Sequence, residues 1–533
     1  MSLNQALSDW SALLGHDQIV EQANLPPKFR SDTSGHCATI RAVIRVKDPD
    51  HLPQIMRIAG RHRVKIHPVS TGNNWGYGSA IPVNDDTCIL DLSGLCKIID
   101  FDQELGVVTL EPGVTQGMLE AFLDEHKLAF MTPVTGAGPD CSLVGNALER
   151  GYGITPVADH YAAVTDMEVV LADGSVHRSS LADLGCTRIA RLHKWDLGPH
   201  LAGMFSQSGL GVVRSMSIAL APRPECIKSC IFALTDISAV GRYVPLFRQA
   251  IRQLGGTLGG LNIMNSHRVI AMLGQHPNDK ETGFEVLTPA QLHELERQHM
   301  IAPWTGFASL YGSRRVVSAA QRELRSILGG RVSRLVFVDE TRARQIALIA
   351  RILPGRLGLN AARSAKTLRS ALGLLRGRPN ETTLPLAYWL DHRKIPPAGQ
   401  ALDPARDACG LIWYSPLVPM SAGCVESTID MVYEVTKRHQ IEPLITLTSL
   451  NDRLFDCTVP LLFRSDEPGR LEAARRCYFE LVQSGKKIGV YPYRLAAFSM
   501  GLVRPSDRQG ANLHERLRAH LDPQDILAPG RYV

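Results

Sequence analysis

A glycine-rich turn near the N-terminus has the composition of a phosphate-binding loop. It runs from His67 to Gly78, reads HPVSTGNNWGYG, and contains three glycines among small polar residues. Glycine lets the backbone adopt positive φ and approach a ligand closely, so several N–H groups can converge on one pyrophosphate. The spacing is neither a Rossmann G-x-G-x-x-G nor a Walker P-loop. Tyr77, a bulky residue inside the turn, indicates a contact beyond phosphate.

A second segment rich in small residues follows between Pro133 and Pro156. It reads PVTGAGPDCSLVGNALERGYGITP and is dense in glycine and alanine. Long structureless loops are uncommon in compact domains and are usually functional. We therefore expect this segment to contribute to the same ligand site as the first turn.

A β-α-β unit is predicted to position the first turn. β-branched residues predict a strand over 38–46, apolar spacing predicts a helix over 48–60, and 64–68 predicts the second strand. The glycine turn leaves the end of that second strand. Other predicted elements are strands at 89–92, 107–110 and 215–220, a helix at 118–126, a hairpin over 167–178, and amphipathic helices around 245–254 and 470–485.

Length and composition indicate a globular protein of two or three domains. The chain has 533 residues, 44% hydrophobic and 21% charged, and a net charge of +6, which is too small to predict general affinity for nucleic acid. No apolar stretch is long enough to span a bilayer, and the first 15 residues do not resemble a secretory signal. The eleven cysteines are scattered without C-x-x-C pairs, which favours reduced thiols in the cytoplasm and no metal site.

One basic region, from Arg342 to Arg378, contains no acidic residue. Its cationic side chains include Arg344, Arg351, Arg356, Arg363, Lys366, Arg369 and Arg376. Solvated helix faces would explain this composition. The alternative is a surface that docks an acidic electron-acceptor or carrier protein.

Seven segments in series resemble the flavoprotein family of vanillyl-alcohol oxidase and p-cresol methylhydroxylase. One small-residue loop would be a weak signal, but the series keeps the same order over nearly the full chain. The segments are STGNNWGYG, VVTLEPGV, LVGNALERGYGITPVADH, MFSQSGLGVV, DACGLIWYSPLVP, YPYR and LDPQDILAPG.

The resemblance implies an α+β fold of two main parts. Residues 1–224 would form a p-cresol methylhydroxylase-type FAD-binding domain of two subdomains, and 225–490 an α+β cap domain that carries the substrate. Residues 491–533 would return to complete the FAD domain. A composition break at Ala221–Pro224 agrees with the first boundary. The family also implies a homodimer or higher oligomer.

The resemblance assigns FAD-binding roles to both small-residue segments. The pyrophosphate would lie against Ser70, Thr71, Gly72, Asn73 and Asn74. The flavin would lie along Gly145, Asn146, Gly151 and Gly153. Asp159 and His160 match a paired Asp-His of the family. A buried hydrogen-bonded pair that shapes the turn is an alternative for these two residues.

Three residues match the family positions that hold a phenol: Tyr77, Tyr493 and Arg494. Two tyrosine hydroxyls and a guanidinium would favour the phenolate of a small aromatic substrate. A phenolate donates electron density to its para position, so a benzylic hydride can leave to the flavin and yield a quinone methide. The alternative is a packed tyrosine and a surface ion pair.

Glu149 matches an acidic residue near the flavin in this family. The resemblance implies that it stabilises the reduced flavin or the intermediate, or that it activates water. A carboxylate in a mostly apolar site needs a partner or a raised pKa. Arg150 is adjacent in sequence, so a structural ion pair between the two is the alternative.

The sequence departs from the family at the usual point of covalent FAD attachment. Many members use a His or Tyr near the stretch here written as residues 447–459, which contains neither. We therefore expect non-covalent FAD, with a covalent link through Asp456 or Cys457 as the alternative.

Two other functions remain open from the sequence. An arginine beside a tyrosine can also hold a carboxylate, as in a flavoenzyme that oxidises a hydroxy acid or a lactone. A flavin-binding subunit without turnover is the other alternative. The electron acceptor could be oxygen or a protein.

Overall fold

The chain folds into two units in a computed structural model. The structure describes residues 3–235, 240–277, 286–352, 369–504 and 510–532. The first unit comprises Met1–Tyr152, Asp159–Pro222 and Arg494–Val533, and the second comprises Gly153–Ala158 and Arg223–Tyr493.

The first unit begins with a four-stranded sheet built on the predicted β-α-β unit. Its strands are β1 (Ile19–Glu21), β2 (Ile40–Arg45), β3 (Lys65–Val69) and β4 (Thr87–Asp91), in the order β1-β2-β4-β3. β4 lies between β2 and β3 and is parallel to both. The glycine turn therefore starts where β3 ends, at an edge of the sheet.

The helix Leu52–His62 connects β2 to β3 and covers this sheet. The Asp48 side chain accepts from Asp50 N at 2.9 Å, Pro49 fixes the first turn, and Arg63 ends the helix in the left-handed region with φ of 53°. Its buried residues include Leu52, Ile55, Met56 and Ala59, the face predicted from the apolar spacing. Each large apolar side chain buried here contributes about 1.5–3 kcal/mol to folding.

A second sheet in the first unit is antiparallel throughout and has its own core. Its strands are β5 (Ile98–Asp102), β6 (Val107–Leu110), β8 (Val164–Val170), β9 (Val176–His177) and β10 (Val212–Ala219). A separate two-stranded sheet is formed by β7 (Phe130–Met131) and β11 (Ala221–Pro222). The sheet order is β5-β6-β10-β8-β9. Val108, Leu119, Met167 and Met216 are among the buried residues of its core.

The C-terminal tail returns to the first sheet. Ile66 N donates to Ile526 O, and Ala528 N donates to Ile66 O, both at 2.7 Å. This parallel bridge to Leu527 extends the sheet beyond the edge strand β3. It places the last residues of the chain in the same unit as the glycine turn.

The second unit is built on a nine-stranded sheet. Its strands are β12 (Cys226–Leu234), β13 (Asn262–Asn265), β14 (Trp304–Gly312), β15 (Arg334–Val338), β16 (Gly410–Tyr414), β17 (Pro416–Pro419), β18 (Thr446–Ser449), β19 (Leu454–Phe463) and β20 (Tyr491–Pro492). The order is β15-β12-β14-β13-β18-β19-β17-β20, and β16 also pairs with β19. The α+β fold expected from the resemblance is therefore confirmed.

Helices alternate with strands in both units. Those of the first unit are Leu3–Leu14, Leu52–His62, Gln116–Glu125, Leu143–Leu148, Ser180–Asp183, Thr187–Ala190 and Leu513–Leu521. Those of the second include Val244–Gln253, Ser266–Leu273, Pro289–His299, Arg314–Leu328, Glu340–Ile352, Ala422–Arg438 and Arg470–Lys487. None of the helices in the described ranges combines the length and the apolar character that crossing a bilayer requires.

Candidate active site

Hydrogen bonds within the glycine turn and one to Thr33 hold its backbone in place. Gly76 N donates to Thr33 Oγ1 at 2.7 Å, while Tyr77 N and Ser79 N donate to Asn74 O at 3.1 and 3.0 Å. Gly76 and Gly78 have φ of 77° and 122°, conformations that a residue with a Cβ rarely adopts. The turn therefore depends on glycine at these points.

Four consecutive backbone N–H groups of this turn are unbonded. Among the described residues, none accepts a hydrogen bond from the amides of Thr71, Gly72, Asn73 or Asn74. These four residues are half-buried. Because unpaired amides at a partly buried site favour an anion, this donor set fits the pyrophosphate of FAD.

The second small-residue segment lies against the first turn. A Cβ added at Gly145 would lie 2.5 Å from Ser70 Oγ, and one at Gly151 would lie 2.0 Å from Asn146 Oδ1. Ser142 begins the helix Leu143–Leu148, because its Oγ accepts from Gly145 N at 2.9 Å. Glycine thus permits the close approach of backbone that a flat ligand along this wall would need.

His160 offers a polar group to the same region. The side chain is buried, its Nδ1 is hydrogen-bonded to Asn146 Nδ2, and its Nε2 is buried without a hydrogen-bond partner. Burial lowers the pKa of His160 to about 4, so the ring is neutral at physiological pH. Taken with the open amides, this orphaned nitrogen shows that the residues present fit a bound dinucleotide.

Asp159 and Gly153 do not join this cluster of contacts. Asp159 is exposed, and its Oδ1 accepts from Ala162 N at 2.9 Å, so Asp159 and His160 are not the buried hydrogen-bonded pair given as the alternative. Gly153 belongs to the second unit, where its N donates to Ala158 O at 2.8 Å. Their expected contacts with FAD stay predictions.

A cluster of two guanidinium groups and one carboxylate lies in the first unit. Glu149 follows the last residue of the helix Leu143–Leu148. Its Oε2 lies 3.4 Å from Arg494 Nε, and its Oε1 accepts a short hydrogen bond from Arg531 Nη2. All three side chains are at least four-fifths buried.

Arg494 links this cluster to the glycine turn. Its guanidinium carbon lies 4.3 Å from the centroid of the Tyr77 ring, and its Nη2 donates to Asn74 Oδ1. A cation over an aromatic face at this distance is attractive. The structure therefore brings together Tyr77, Glu149 and Arg494, which are far apart in sequence.

Two of the alternatives drawn from sequence are wrong. Arg150 does not pair with Glu149, because its Nε and Nη2 donate to Ser206 Oγ at 3.1 and 2.9 Å. Arg494 is buried and is not part of a surface ion pair. The expectation rested on adjacency in sequence alone. Arg150 has a φ of 52°, and its side chain is hydrogen-bonded to Ser206 and not to its neighbour Glu149.

The electrostatics of the cluster favour a bound anion. Burial opposes ionisation of Glu149, but Arg531 and Arg494 outweigh it and hold the pKa of this carboxyl below its usual value of 4.5. Glu149 is therefore ionised and neutralises only one of the two guanidinium charges. The neighbouring His67 adds none, because burial, with a smaller effect of Arg531, lowers its pKa to about 3. One net positive charge remains at a largely buried position.

Sequence reasoning missed Arg531 and Tyr532. Gly530 turns the chain with φ of 80°, and Arg531 then reaches Glu149. The Tyr532 hydroxyl accepts from Leu495 N at 3.5 Å, and burial raises the pKa of Tyr532 to about 12. Both residues follow the last recognised segment, LDPQDILAPG, so no motif indicated them. The nearest signal was a basic and an aromatic residue immediately after it.

Three candidate residues belong to the second unit. Tyr493 is its last residue and directly precedes Arg494; Tyr493 N donates to Ser415 O at 3.2 Å. Asp456 and Cys457 lie next to each other in β19 and are both buried, so their side chains point to opposite faces of the sheet. Burial raises the pKa of the Cys457 thiol well above its usual value, which disfavours the reactive thiolate.

An acidic residue just before the basic region neutralises part of its positive charge. Glu340, just before the region begins, pairs with Arg344 at 2.6 Å and also with Arg376. Arg369 is exposed. The side chains of Arg351, Arg356, Arg363 and Lys366 lie outside the described residues. Docking of an acidic protein at this region stays a prediction.

Comparison with known proteins agrees with the fold and with FAD as the cofactor. The family described as "FAD binding domain" matches residues 40–180. The 1'-carboxy-chondrochloren decarboxylase of Chondromyces crocatus is 32% identical over 99% of this chain and 97% of its own. The 4-cresol dehydrogenase [hydroxylating] flavoprotein subunit of Pseudomonas putida is 26% identical over 99% and 95%.

A solved structure gives the same result for the fold. The crystal structure of p-cresol methylhydroxylase with substrate bound superposes with a TM-score of 0.85 at 23% identity, and the match covers 99% of this chain and 96% of that one. The protein is thus an FAD-dependent oxidoreductase. It belongs to the family of FAD-linked oxidoreductases with a p-cresol methylhydroxylase-type FAD-binding domain.

Proposed function

We propose that the protein removes a hydride from the benzylic carbon of a para-substituted phenol that is bound as the phenolate. The observation that carries this proposal is the buried cluster in which Arg494 lies 4.3 Å from the Tyr77 ring and one positive charge is left over. That charge would be neutralised by a phenolate oxygen. The name of the curated relative that acts on 4-cresol supports a phenol as the substrate.

The residues of the site would act on the substrate's charge. Arg494, Tyr77 and Tyr493 would donate to the phenol oxygen and lower its pKa from about 10. The ionised ring would then release a hydride from the benzylic carbon and become a neutral quinone methide. FAD, when bound, supplies the acceptor for that hydride. Donors fixed in advance around the oxygen avoid reorganisation during the reaction.

Glu149 would position the guanidinium groups. Its two oxygens face Arg494 and Arg531, and its lowered pKa makes it a weak base. A weak base would contribute little to activating water. We therefore assign Glu149 the role of holding Arg494 against Tyr77, with a secondary effect on charge that develops nearby.

A second candidate reaction shares this first step. If the carbon next to the benzylic carbon carries a carboxylate, the quinone methide can lose CO₂, and the electron pair of the broken C–C bond restores the phenolate and forms a vinyl group. The relative named as a decarboxylase supports the same reaction.

We also propose which parts of the chain bind FAD and which part binds the substrate. Residues 1–224 with 491–533 would bind FAD through Ser70–Asn74, Gly145, Asn146, Gly151, Gly153, Asp159 and His160, and 225–490 would carry the substrate. FAD would be held without a covalent bond; Asp456 is the remaining candidate for a link, since the Cys457 thiol is protonated.

Anaerobic mixing with a panel of substrates tests the proposed function. The bound flavin is expected to bleach with 4-ethylphenol and with 3-(4-hydroxyphenyl)propanoate, and to stay yellow with D-lactate. Mass spectrometry of the products separates water addition to the quinone methide from loss of CO₂. Bleaching by D-lactate but by neither phenol would overturn the proposal in favour of a hydroxy-acid oxidoreductase.

A further inference from the structure

An arginine of the second unit has buried guanidinium nitrogens that form no hydrogen bond with any described residue. Arg268 lies in the helix Ser266–Leu273, and its Nε and Nη1 are excluded from solvent without a hydrogen bond. In the described part of the chain, its side chain takes part in no ion pair either. An uncompensated charge in such a position is costly, so it calls for an explanation.

Two other buried arginines of the chain are paired with acids. Arg518 is buried, and its Nη2 lies 2.7 Å from Asp525 Oδ1. Arg464, in the second unit like Arg268, is buried and lies 3.0 Å from Glu467. Among the described residues no acid pairs with Arg268 in this way, and burial lowers its pKa to about 10.

Trp413 lies beside the guanidinium group of Arg268. The guanidinium carbon lies over the Trp413 ring, 5.7 Å from its centroid. The backbone N of Arg268 is already bonded to Asn265 Oδ1 at 3.1 Å. Of the three guanidinium nitrogens, Nη2 alone is not among the solvent-excluded atoms. A group that arrives from solvent would therefore meet Nη2.

We propose that Arg268 and Trp413 form a binding site for a carboxylate anion in the second unit. A carboxylate is planar, matches the guanidinium fork in its own plane, and carries the single negative charge that neutralises one arginine. A phosphate dianion would leave a surplus negative charge in the same half-buried position. This inference goes beyond the proposed function, which gives no role to Arg268 or Trp413.

Calorimetric titration of the FAD-loaded protein with 3-phenylpropanoate tests the site. This probe has no phenol oxygen, so its binding does not depend on the proposed reaction. Wild type is expected to bind it, and Arg268→Gln to bind it about 10- to 100-fold more weakly. Arg325→Gln is the matched control, because Arg325 also lies over an aromatic ring of the same unit, 5.1 Å from the Phe337 centroid, but is exposed.

Two results would overturn the site. One is equal affinity of wild type and Arg268→Gln for 3-phenylpropanoate, and the other is no binding by wild type. The neutral 3-phenylpropanol should bind equally to all variants. Arg268→Lys guards against misfolding of the glutamine variant: it keeps the charge but loses the planar fork, and should bind with intermediate affinity.

Turnover separates the two sources of such a carboxylate. If Arg268→Gln lowers kcat/KM for 3-(4-hydroxyphenyl)propanoate but not for 4-propylphenol, the site binds the substrate's own carboxylate. If both substrates are unaffected while 3-phenylpropanoate binding is lost, the site binds a separate carboxylate. Failure of both phenols to reduce the flavin would overturn the proposed function and leave the titration result intact.

Discussion

At the scale of single residues, three charged side chains lie together at a largely buried position. Glu149 contacts both Arg494 and Arg531, and Arg494 in turn covers the Tyr77 ring. Removing one member of this cluster leaves the charge of the others uncompensated at a largely buried position. Stability and catalysis are therefore linked at this cluster, and each can be measured separately.

Glu149→Gln should lower the free energy of unfolding. Two guanidinium groups would lose their acidic partner. The loss in free energy of unfolding should be smaller than the value of about 3–5 kcal/mol seen for fully buried pairs, because part of each side chain is exposed. The pKa of Glu149 is lowered on folding, so its contribution is complete above the usual value of 4.5 and is lost as pH falls through the folded-state pKa.

Denaturant titrations over a range of pH measure this effect. The difference in unfolding free energy between wild type and Glu149→Gln should be constant near neutral pH and should shrink in acid. A difference that instead grows as pH falls would mean that Glu149 is protonated in the folded protein.

Tyr77→Phe tests the role of a hydroxyl without removing the ring beneath Arg494. We expect kcat/KM for 4-ethylphenol to fall about 10- to 100-fold, since one donor that stabilises the bound phenolate is lost. The remaining rate should rise with pH toward the pKa of the free phenol, about 10.

Tyr161→Phe is the control for loss of a partly buried hydroxyl. Tyr161 donates to Ala202 O at 2.7 Å in the same unit. Its variant should lose about 1 kcal/mol of stability and keep its kcat/KM. Equal kinetic losses in both variants would assign the effect to packing.

At the scale of elements, the sequence predicted the β-α-β scaffold that holds the glycine turn. β-branched runs and apolar spacing located β2, the helix Leu52–His62 and β3, so the glycine turn was placed at the end of β3. These signals are local, because they depend on side chains a few residues apart. The pairing of the tail through Ile66 with Ile526 and Ala528 is not local, and only the family resemblance indicated it.

The candidate site was predictable only in part for the same reason. Tyr77, Glu149 and Arg494 were named from separate motifs, but their contacts join residues hundreds of positions apart. Arg531 had no motif, and Arg150 was the closest cation in sequence but not in space. Long-range ion pairs have no periodicity that a single sequence could display.

Gly72→Ala tests the glycine turn as a binding element. Gly72 has φ of 80°, and an added Cβ would lie 3.0 Å from Ala80 Cβ. The strain should shift the open amides, and we expect the affinity for FAD to fall at least 10-fold, measured by flavin fluorescence on dilution.

Gly198→Ala is the matched control for this variant. Gly198 lies in the same unit and has the same φ of 80°, but a Cβ there would meet nothing within 4 Å. It should lose stability of about 1–2 kcal/mol from backbone strain and keep its affinity for FAD. Equal loss of FAD in both variants would mean that general strain, and not the turn, controls binding.

At the scale of the whole molecule, the attachment of the cofactor is the first question. Acid precipitation of the purified protein should leave yellow FAD in the supernatant, because the stretch 447–459 has neither His nor Tyr. Colour that stays in the pellet would contradict non-covalent binding. In that case Asp456→Asn should release the colour, if Asp456 is the point of attachment.

The claim on which the whole account depends is that the substrate reacts as a phenolate. It is tested most directly by anaerobic stopped-flow reduction with 4-ethylphenol and with 4-ethylanisole, which has the same benzylic carbon but cannot ionise. We expect rapid bleaching of the flavin by the phenol and none by the methyl ether. Equal bleaching by the two compounds would show that no ionised oxygen is needed and would contradict the role given to Tyr77, Tyr493 and Arg494.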